Sequence, residues 1–260
     1  MSVENDSFLC FNICRGGESM RLYISGVSLQ GEIPQNSYLQ NIPAIKHLQD
    51  MRRLPLSSPV TFFVGENGTG KSTLLEAIAV LSELNAEGGS RNFNFSTCRT
   101  ESPLHEYLSV SKAAYEKDSF FLRAESFYNV ATDILKNDIC LDGYGGRSLH
   151  EQSHGESFLA LVQNRFRGNG LYILDEPEAA LSPIRQMTLL LEIRRLVDKN
   201  SQFLIATHSP IVLSFPHADI WEFSKDGICK KAYTETENYQ VMKDFINNRD
   251  NILRRLFGED

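Results

Sequence analysis

The chain has 260 residues, of which 42% are hydrophobic and 23% charged, and its formal net charge is −7. This is the composition of a globular protein, and its acidic balance disfavours non-specific binding of DNA by the whole surface. No apolar run approaches the roughly 20 residues of a membrane span. The five cysteines include no C-x-x-C pair, which disfavours a disulfide framework and a zinc ribbon, and the N-terminus shows no secretion signal. We therefore expect a cytoplasmic protein without membrane insertion, organised as one domain over residues 1–260.

The first part of the chain has the pattern of short strands. Residues 7–14 and 21–30 are strand-like, and a glycine-containing turn at 15–19 separates them, so the sequence predicts an N-terminal antiparallel β hairpin. Apolar residues at helical spacing over residues 43–53 then predict a short helix.

Residues 65–72 match G-x-x-x-x-G-K-[ST], the pattern of a phosphate-binding loop. An apolar, β-rich stretch at 59–64 precedes the loop and good helix formers at 72–81 follow it. Glycines let backbone N–H groups turn toward an anion, and a helix N-terminus adds partial positive charge. Lys71 is expected to reach the β- and γ-phosphates, and the Ser72 hydroxyl to bind Mg²⁺. The predicted nucleotide-binding residues here are Gly65, Glu66, Asn67, Gly68, Thr69, Gly70, Lys71, Ser72 and Thr73.

The stretch 85–150 is less regular and is expected to form a small helical or lid-like insertion. Within it, the patterns of residues 104–117 and 125–136 predict helices, and residues 119–124 predict a strand. Several glycines near its end indicate a flexible loop.

Two further buried strands end in polar residues. Residues 171–174 run directly into Asp175 and Glu176, and residues 202–207 end at His208. Ligands bind at the carboxyl ends of parallel strands in open α/β sheets. Asp175 is therefore expected to hold Mg²⁺, Glu176 to orient or deprotonate an attacking water, and His208 to reach a γ-phosphate through a ring N–H. The predicted catalytic residues are Glu176, His208 and Lys71.

The remaining patterns predict helices over residues 156–167 and 184–199, a hairpin joining 220–223 to 228–231, and a polar helix over 238–250. Strands alternating with helices indicate an α/β fold with a mostly parallel central sheet flanked by helices.

Residues 152–156, Gln-Ser-His-Gly-Glu, resemble the signature sequence of the ABC-superfamily ATPases, Leu-Ser-Gly-Gly-Gln, with Ser153 and Gly155 retained. A final glutamate also occurs in the chromosome-maintenance and DNA-repair branches of that family. Asp175 follows Gly155 by 20 residues and precedes His208 by 33, which fits the order and spacing of the family. The resemblance covers about residues 20–225.

More narrowly, the chain resembles small stand-alone bacterial ATPases, similar in outline to chromosome-maintenance and recombination-mediator heads without a coiled coil. Residues 180–183 fall where the family has its D-loop, and Glu125 falls at the Q-loop position, where the family usually has glutamine. The metal candidates are thus Ser72, Asp175 and Glu125. Tyr23 and Phe11 are candidates for stacking on adenine.

The resemblance implies a P-loop NTPase that binds ATP and Mg²⁺ as an ATP-dependent homodimer. Each nucleotide would lie on Lys71, Ser72 and Asp175 of one copy and be covered by Ser153 and Gly155 of the other, arranged head to tail. We interpret the chain as a soluble ATP-gated switch that acts on DNA or on a partner effector protein.

Two alternatives remain at this level. The chain could be the nucleotide-binding subunit of a membrane transporter, working with a separate membrane protein. It could also be a zinc protease, because residues 150–154 satisfy H-E-x-x-H. That chemistry requires both histidines on one continuous helix, one turn apart, and Gly155 directly after the second histidine argues against it.

Overall fold

The computed structural model describes residues 22–90, 102–127, 132 and 152–258. Its strands are β1 (Ile24–Leu29), β2 (Leu54–Pro55), β3 (Val60–Gly65), β4 (Leu108–Lys112), β5 (Asp118–Arg123), β6 (Gly170–Asp175), β7 (Gln202–Ala206), β8 (Asp219–Phe223) and β9 (Ile228–Lys231). Its α-helices are α1 (Pro43–Met51), α2 (Lys71–Leu81), α3 (Leu104–Tyr107), α4 (His154–Arg165), α5 (Pro183–Val197), α6 (Pro210–Leu213) and α7 (Glu237–Phe257). Single 3₁₀ turns lie at Tyr38–Asn41, Pro177–Ala180 and Tyr233–Glu235.

The larger sheet has six strands in the order β5-β6-β7-β3-β8-β9. All neighbouring pairs are parallel except β8 with β9, which form an antiparallel hairpin. In the register of the sheet, Arg123 lies beside Asp175, and Asp175 lies beside Ala206. The predicted mostly parallel sheet is therefore confirmed, and the carboxyl ends of three neighbouring strands meet at one edge.

Both faces of this sheet are buried, which explains the apolar runs of its strands. Side chains alternate between the faces: Tyr172 and Leu174 pack with α4, α5 and α6, whereas Leu171 and Ile173 pack with α1 and α2. Every one of these four side chains is buried, so each strand contributes to two cores at once. The predicted layering of helices on a central sheet is confirmed.

The smaller sheet is antiparallel, in the order β2-β1-β4, and its inner face packs on the core that contains α1 and α2. The strand predicted over residues 21–30 is present as β1, and its partners in the described part of the chain are β2 and β4. Residues 7–14 lie outside the described residues, so the hairpin with them stays a prediction.

The single helix predicted over residues 104–117 is wrong. Only the turn α3 is helical, and the chain then extends as β4. Leu108-Ser-Val-Ser-Lys112 alternates apolar and polar residues with a period of two, which favours a strand, and Leu108 and Val110 pair with Leu29 and Val27 of β1. The insertion predicted over 85–150 thus contributes one strand to each sheet among its described residues. The helix predicted over 125–136 lies largely outside them.

The other predicted helices and the hairpin of β8 and β9 are confirmed, with α7 extending seven residues beyond the predicted end at 250 and kinked at Asn248. Among the described residues, no helix is long and apolar enough to cross a membrane.

Candidate functional site

The candidate site lies at the carboxyl edge of the larger sheet, where β3, β6 and β7 end side by side. β3 leads into the glycine loop and α2, β6 ends at Asp175, and β7 leads to His208. The parallel topology therefore brings together the three predicted groups of site residues, although 33 or more positions separate them in the sequence.

The glycine loop is closed by the side chain of Lys71. Its Nζ donates hydrogen bonds to the carbonyl oxygens of Gly65 at 2.7 Å and Glu66 at 2.8 Å. Gly70, directly before α2, has φ +102°, and a Cβ there would lie 2.4 Å from Ile42 Cγ2. Only glycine combines this left-handed backbone with so close a neighbour at little cost.

Lys71 is 4% exposed, and burial lowers the pKa of its ammonium, while the carboxylates of Glu176, Asp175 and Glu178 oppose that shift. The lysine is thus held as a desolvated cation facing three acids. Its ammonium is the positive charge that the glycine loop can offer to the oxygens of a phosphate.

Ser72 and Asp175 form the oxygen pair predicted for the metal. Ser72 Oγ donates to Asp175 Oδ1 at 2.9 Å. Asp175 is 5% exposed, and burial raises the pKa of its carboxyl to about 6 although Arg123 and Ser72 act in the opposite direction. A buried carboxylate next to a hydroxyl at the end of a phosphate loop suits Mg²⁺, which prefers oxygen ligands, so the residues present fit this ion.

Arg123 is a site residue that sequence reasoning missed. Its guanidinium lies 2.9 Å from Glu76 Oε2 through Nη1, 3.4 Å from Asp175 Oδ2 through Nε, and 3.9 Å from Glu125 Oε2 through Nη2. Arg123 is the last residue of β5 and lies near the end of the strand predicted over residues 119–124, so the rule that placed Asp175 at the edge could have placed this arginine there, although not identified its partners. Glu125 itself is exposed and approaches Asp175 only across Arg123.

Glu176 and His208 face each other across the edge. His208 Nε2 lies 3.6 Å from Glu176 Oε1, and both side chains are about one-third exposed. Glu176 has a left-handed backbone, with φ 51° and ψ 51°, and its N–H donates to the carbonyl of Ala206 at 2.9 Å. A non-glycine residue in this region costs about 1 kcal/mol, so the neighbouring strand holds the carboxylate in a strained but defined position.

An open pocket of about 480 Å³ adjoins this pair and is lined by Glu66, Asn67 and His208. Two of these residues belong to the glycine loop and the third to the end of β7. The pocket thus lies where a phosphate chain would extend from the loop toward Glu176.

Glu178 is a second residue that sequence reasoning missed. Its carboxylate accepts a hydrogen bond from Thr207 Oγ1 at 2.7 Å and another from the backbone N–H of His208. It therefore fixes the chain that carries His208 to the turn that carries Glu176. Its position three residues after Asp175 was the available signal.

The signature segment begins α4. Ser153 is exposed and caps the helix, its N–H donating to Glu156 Oε2 at 3.0 Å and its Oγ at 2.7 Å. The hydrogen bonds from Ser153 and the contact from Arg185 hold Glu156 as a carboxylate of lowered pKa. Arg185 Nη2 donates to Glu156 Oε1 at 2.9 Å, and Nη1 donates to Ser153 Oγ at 3.2 Å. The side-chain partners of Ser153 therefore belong to α4 and α5.

Gly155 is buried against the predicted D-loop. A Cβ at this position would lie 2.6 Å from the carbonyl oxygen of Ala180 and 2.7 Å from Arg185 Nη1. The small residue lets the start of α4 pack directly on the turn after Glu176. Arg185, which clamps this contact, had no signal in the sequence pattern.

The structure contradicts the zinc-protease alternative. Ser153 is the cap of α4, with the extended backbone angles φ −62° and ψ 151°, so α4 starts at His154 and no continuous helix reaches it through Ser153. The described residues contain no group of three His, Cys, Asp or Glu side chains suited to a metal. His150 and Glu151 lie outside the described residues.

Tyr23 is not positioned to stack on adenine. It is 5% exposed, and its hydroxyl donates to the carbonyl of Asn200, just before β7 and therefore at the opposite edge of the sheet from the site. Phe11 lies outside the described residues.

Two protein-family models match consecutive parts of the chain. One, described as "AAA domain", matches residues 38–136, and the other, described as "AAA domain, putative AbiEii toxin, Type IV TA system", matches residues 142–214. The first match contains the glycine loop, and the second contains the signature, Asp175 and His208. Both matches thus support the predicted resemblance of the chain to AAA/ABC-type ATPases. This similarity supports the predicted binding and hydrolysis of ATP.

Two curated relatives of this chain come from Bacillus thuringiensis subsp. konkukian (strain 97-27) and Bacillus anthracis, and each is named "Putative ABC transporter ATP-binding protein". Each is 28% identical over 198 residues, which cover 70% of this chain and 35% of the relative. The chain thus spans about a third of the length of these relatives.

Similar solved structures include a nucleotide-free ATP-binding cassette from an ABC transporter, with 16% identity, a TM-score of 0.47, and coverage of 85% of this chain and 94% of that chain. Another is the SMC head domain from Thermotoga maritima, with 16% identity, a TM-score of 0.42, and coverage of 81% and 98%. Similarity of this size says nothing about the function of this chain.

Proposed function

We propose that this chain is an ATPase that works as an ATP-gated switch, in which two copies close head to tail around Mg-ATP and hydrolysis releases them. The observation that carries the proposal is the division of the site. The glycine loop, Asp175 and His208 meet at one sheet edge, whereas Ser153 is exposed and makes its side-chain contacts with α4 and α5. A single copy therefore presents a nucleotide half-site and a separate signature half-site.

In the first half-site, a bound triphosphate exchanges the carbonyl contacts of Lys71 for phosphate oxygens. The buried ammonium of Lys71 lies near the carboxylates of Asp175 and Glu176. Its positive charge therefore offsets the repulsion between these carboxylates and the phosphates. Gly68, Thr69 and Gly70 supply backbone N–H groups to the same phosphates.

Ser72 and Asp175 would hold Mg²⁺, and the bound ion supplies charge neutralisation at the β- and γ-phosphates. Glu125 is exposed beside Arg123 and contributes at most through water. Glu176 orients the attacking water and accepts its proton, and His208 donates a ring N–H toward the γ-phosphate. Glu178 keeps His208 in place, because its carboxylate accepts a hydrogen bond from the backbone N–H of His208.

The second half-site supplies the N-terminal end of α4. Backbone N–H groups near Gly155 are donors suited to a γ-phosphate bound by the facing copy, and Ser153 Oγ becomes one when it exchanges its hydrogen bond to Glu156 for the phosphate. Because ATP then binds the closed pair in preference to the separate chains, it stabilises the pair by mass action, and loss of the γ-phosphate removes that stabilisation.

The closed pair acts on DNA or on a partner effector protein. The net charge of −7 favours a protein partner over extended contact with DNA. A second candidate is transport, which is supported by the names of the curated relatives and would require a separate membrane subunit. Recovery of the chain with a membrane protein, independent of ATP, would favour transport over the switch.

The test uses Glu176→Gln, which keeps the nucleotide contacts and removes the proton acceptor. Light scattering is measured in solution dilute enough that the nucleotide-free chain is monomeric, with and without Mg-ATP. We expect the mass to double only with Mg-ATP. The matched control is the same variant with Ser153→Glu, which should bind ATP and remain monomeric. An unchanged mass in Glu176→Gln while ATP binds would exclude the head-to-tail mechanism.

A further inference from the structure

The C-terminal helix α7 is exposed along most of its length in the described structure. It has 21 residues, which corresponds to a length of about 31 Å, and none of its residues is buried among the described residues. An isolated helix gains little stability in water, and most helical stability in proteins comes from packing of an amphipathic face. The body of the chain, as described, does not supply that packing.

One face of α7 is nevertheless apolar. Six of its large hydrophobic side chains are between 39% and 70% exposed: Val241, Met242, Phe245, Ile246, Leu256 and Phe257. Ile252 and Leu253, which lie between the two groups, are only partly buried. Spacings of three and four residues place these side chains on one face within each group, before and after the kink at Asn248. Exposed contiguous apolar surface of this kind marks an interaction site.

The charges of α7 are distributed unevenly along its length. Before the kink at Asn248 the charged residues Glu237, Lys243 and Asp244 sum to −1, whereas after it Arg249, Asp250, Arg254 and Arg255 sum to +2. Two copies of such a helix complement each other when they run antiparallel, because each acidic half then lies against a basic half. A parallel pair would place like charges together.

We propose that α7 docks antiparallel on α7 of a second copy of this chain. The two apolar stripes cover each other, and the paired charges at their flanks set the direction. The contact requires no nucleotide and uses none of the residues of the proposed ATP interface. It is therefore a second, independent interface, which keeps two copies together when ATP is absent.

The base of α7 is attached to the site loop. Asn238 Nδ2 donates to the carbonyl oxygen of His208 at 2.9 Å, and Tyr233, just before the helix, donates through its hydroxyl to the carbonyl of Pro210 at 3.0 Å. A pair of docked helices would thus hold the two His208 loops in one assembly. Because the two copies would then be tethered, each nucleotide half-site would meet the signature half-site of the other copy at a raised effective concentration.

Sedimentation equilibrium of the nucleotide-free chain at rising concentration tests the contact. We expect the wild type to associate to a dimer, and Phe245→Glu or Ile252→Glu to weaken the association at least about tenfold, because each buries a charge in the apolar stripe. The matched control is Tyr115→Glu, at a side chain 89% exposed between β4 and β5, which should associate like the wild type. Thermal unfolding confirms that the body of each variant is folded.

The direction is tested by mixing variants. Antiparallel pairing brings residue 245 of one copy near residue 252 of the other, so a mixture of Phe245→Glu and Ile252→Lys should associate again, although neither variant does so alone. A mixture that stays monomeric would contradict the antiparallel arrangement.

Two further outcomes would overturn the proposal. The first is a wild-type chain that stays monomeric at all concentrations, as expected if another segment of the same chain covers the stripe. The second is unchanged association in Phe245→Glu. The double variant Phe245→Glu/Glu176→Gln separates the two interfaces, because its mass should still double with ATP in dilute solution. If the head-to-tail mechanism alone fails, this doubling is lost, whereas the wild type still forms its nucleotide-free dimer.

Discussion

The buried carboxyl of Asp175 gives the most direct quantitative prediction. Burial raises its pKa from the ordinary value of 3.8 to about 6, even though Ser72 donates to it and Arg123 lies 3.4 Å away. One pKa unit corresponds to about 1.4 kcal/mol, so ionised Asp175 destabilises the metal-free fold by about 3 kcal/mol at neutral pH. Asp175→Asn keeps the size of the side chain and removes the charge.

The sign follows from proton binding. The native state holds the proton of Asp175 more tightly than the unfolded state, so unfolding releases protons between about pH 4 and pH 6. The free energy of unfolding of the wild type therefore falls as the pH rises through this window, and the loss is complete above it. The asparagine variant lacks this contribution. Its advantage should grow from near zero at pH 4 toward about 3 kcal/mol at pH 7.

The assay is urea unfolding of both chains in EDTA without nucleotide, at intervals between pH 4 and pH 8. Asp219→Asn is the matched control, because hydrogen bonds from Lys230 and Ser57 outweigh burial and lower the pKa of Asp219, so that its removal should destabilise the fold at neutral pH. An Asp175→Asn chain that is no more stable than the wild type at pH 7, or a difference that does not change with pH, would refute the reasoning.

The remaining predictions concern the glycine loop and the signature. Gly70→Ala should lower the free energy of unfolding by about 2 kcal/mol or more, since the new Cβ would lie 2.4 Å from Ile42 Cγ2 at a φ of +102°. Gly68→Ala has open space around its Cβ and should lose only about 1 kcal/mol of backbone strain, so equal losses by chemical unfolding would contradict this account. Arg185→Ala frees Ser153 and Glu156 and should abolish ATP-driven association with ATP affinity retained; light scattering with a nucleotide-binding assay distinguishes this from a general loss of binding.

The parallel sheet could be predicted because its strands are continuous apolar runs, and their polar ends identified Asp175 and His208 before any geometry was known. The prediction of one helix over residues 104–117 was wrong, because apolar residues at helical spacing and the alternation of a strand overlap there. What decided that segment was pairing of Leu108 and Val110 with β1, about 80 residues earlier, and no local pattern contains this information.

The missed residues share one property, which is that their partners are distant in sequence. Arg123 contacts Glu76 and Asp175, and Arg185 contacts Ser153, across separations of 32 to 52 residues. An arginine at a strand end or on a helix has no distinctive local pattern, so its role emerges only when the sheet register and the packing of α4 on α5 are known. The glycine loop was found because all its chemistry lies within eight consecutive residues.

The guanidinium of Arg123 lies beside the predicted magnesium site without occupying the Asp175 oxygen that faces Ser72. The two oxygens of Asp175 face different partners: Oδ1 accepts from Ser72, and Oδ2 lies near Arg123 Nε. A metal bound between Ser72 and Asp175 would use the first oxygen and leave the second to the arginine. Glu76 holds the other end of the guanidinium at 2.9 Å and supplies a compensating negative charge. The arginine thus offsets part of the burial cost of Asp175 and fixes the orientation of its carboxylate, with Oδ1 directed to the glycine loop.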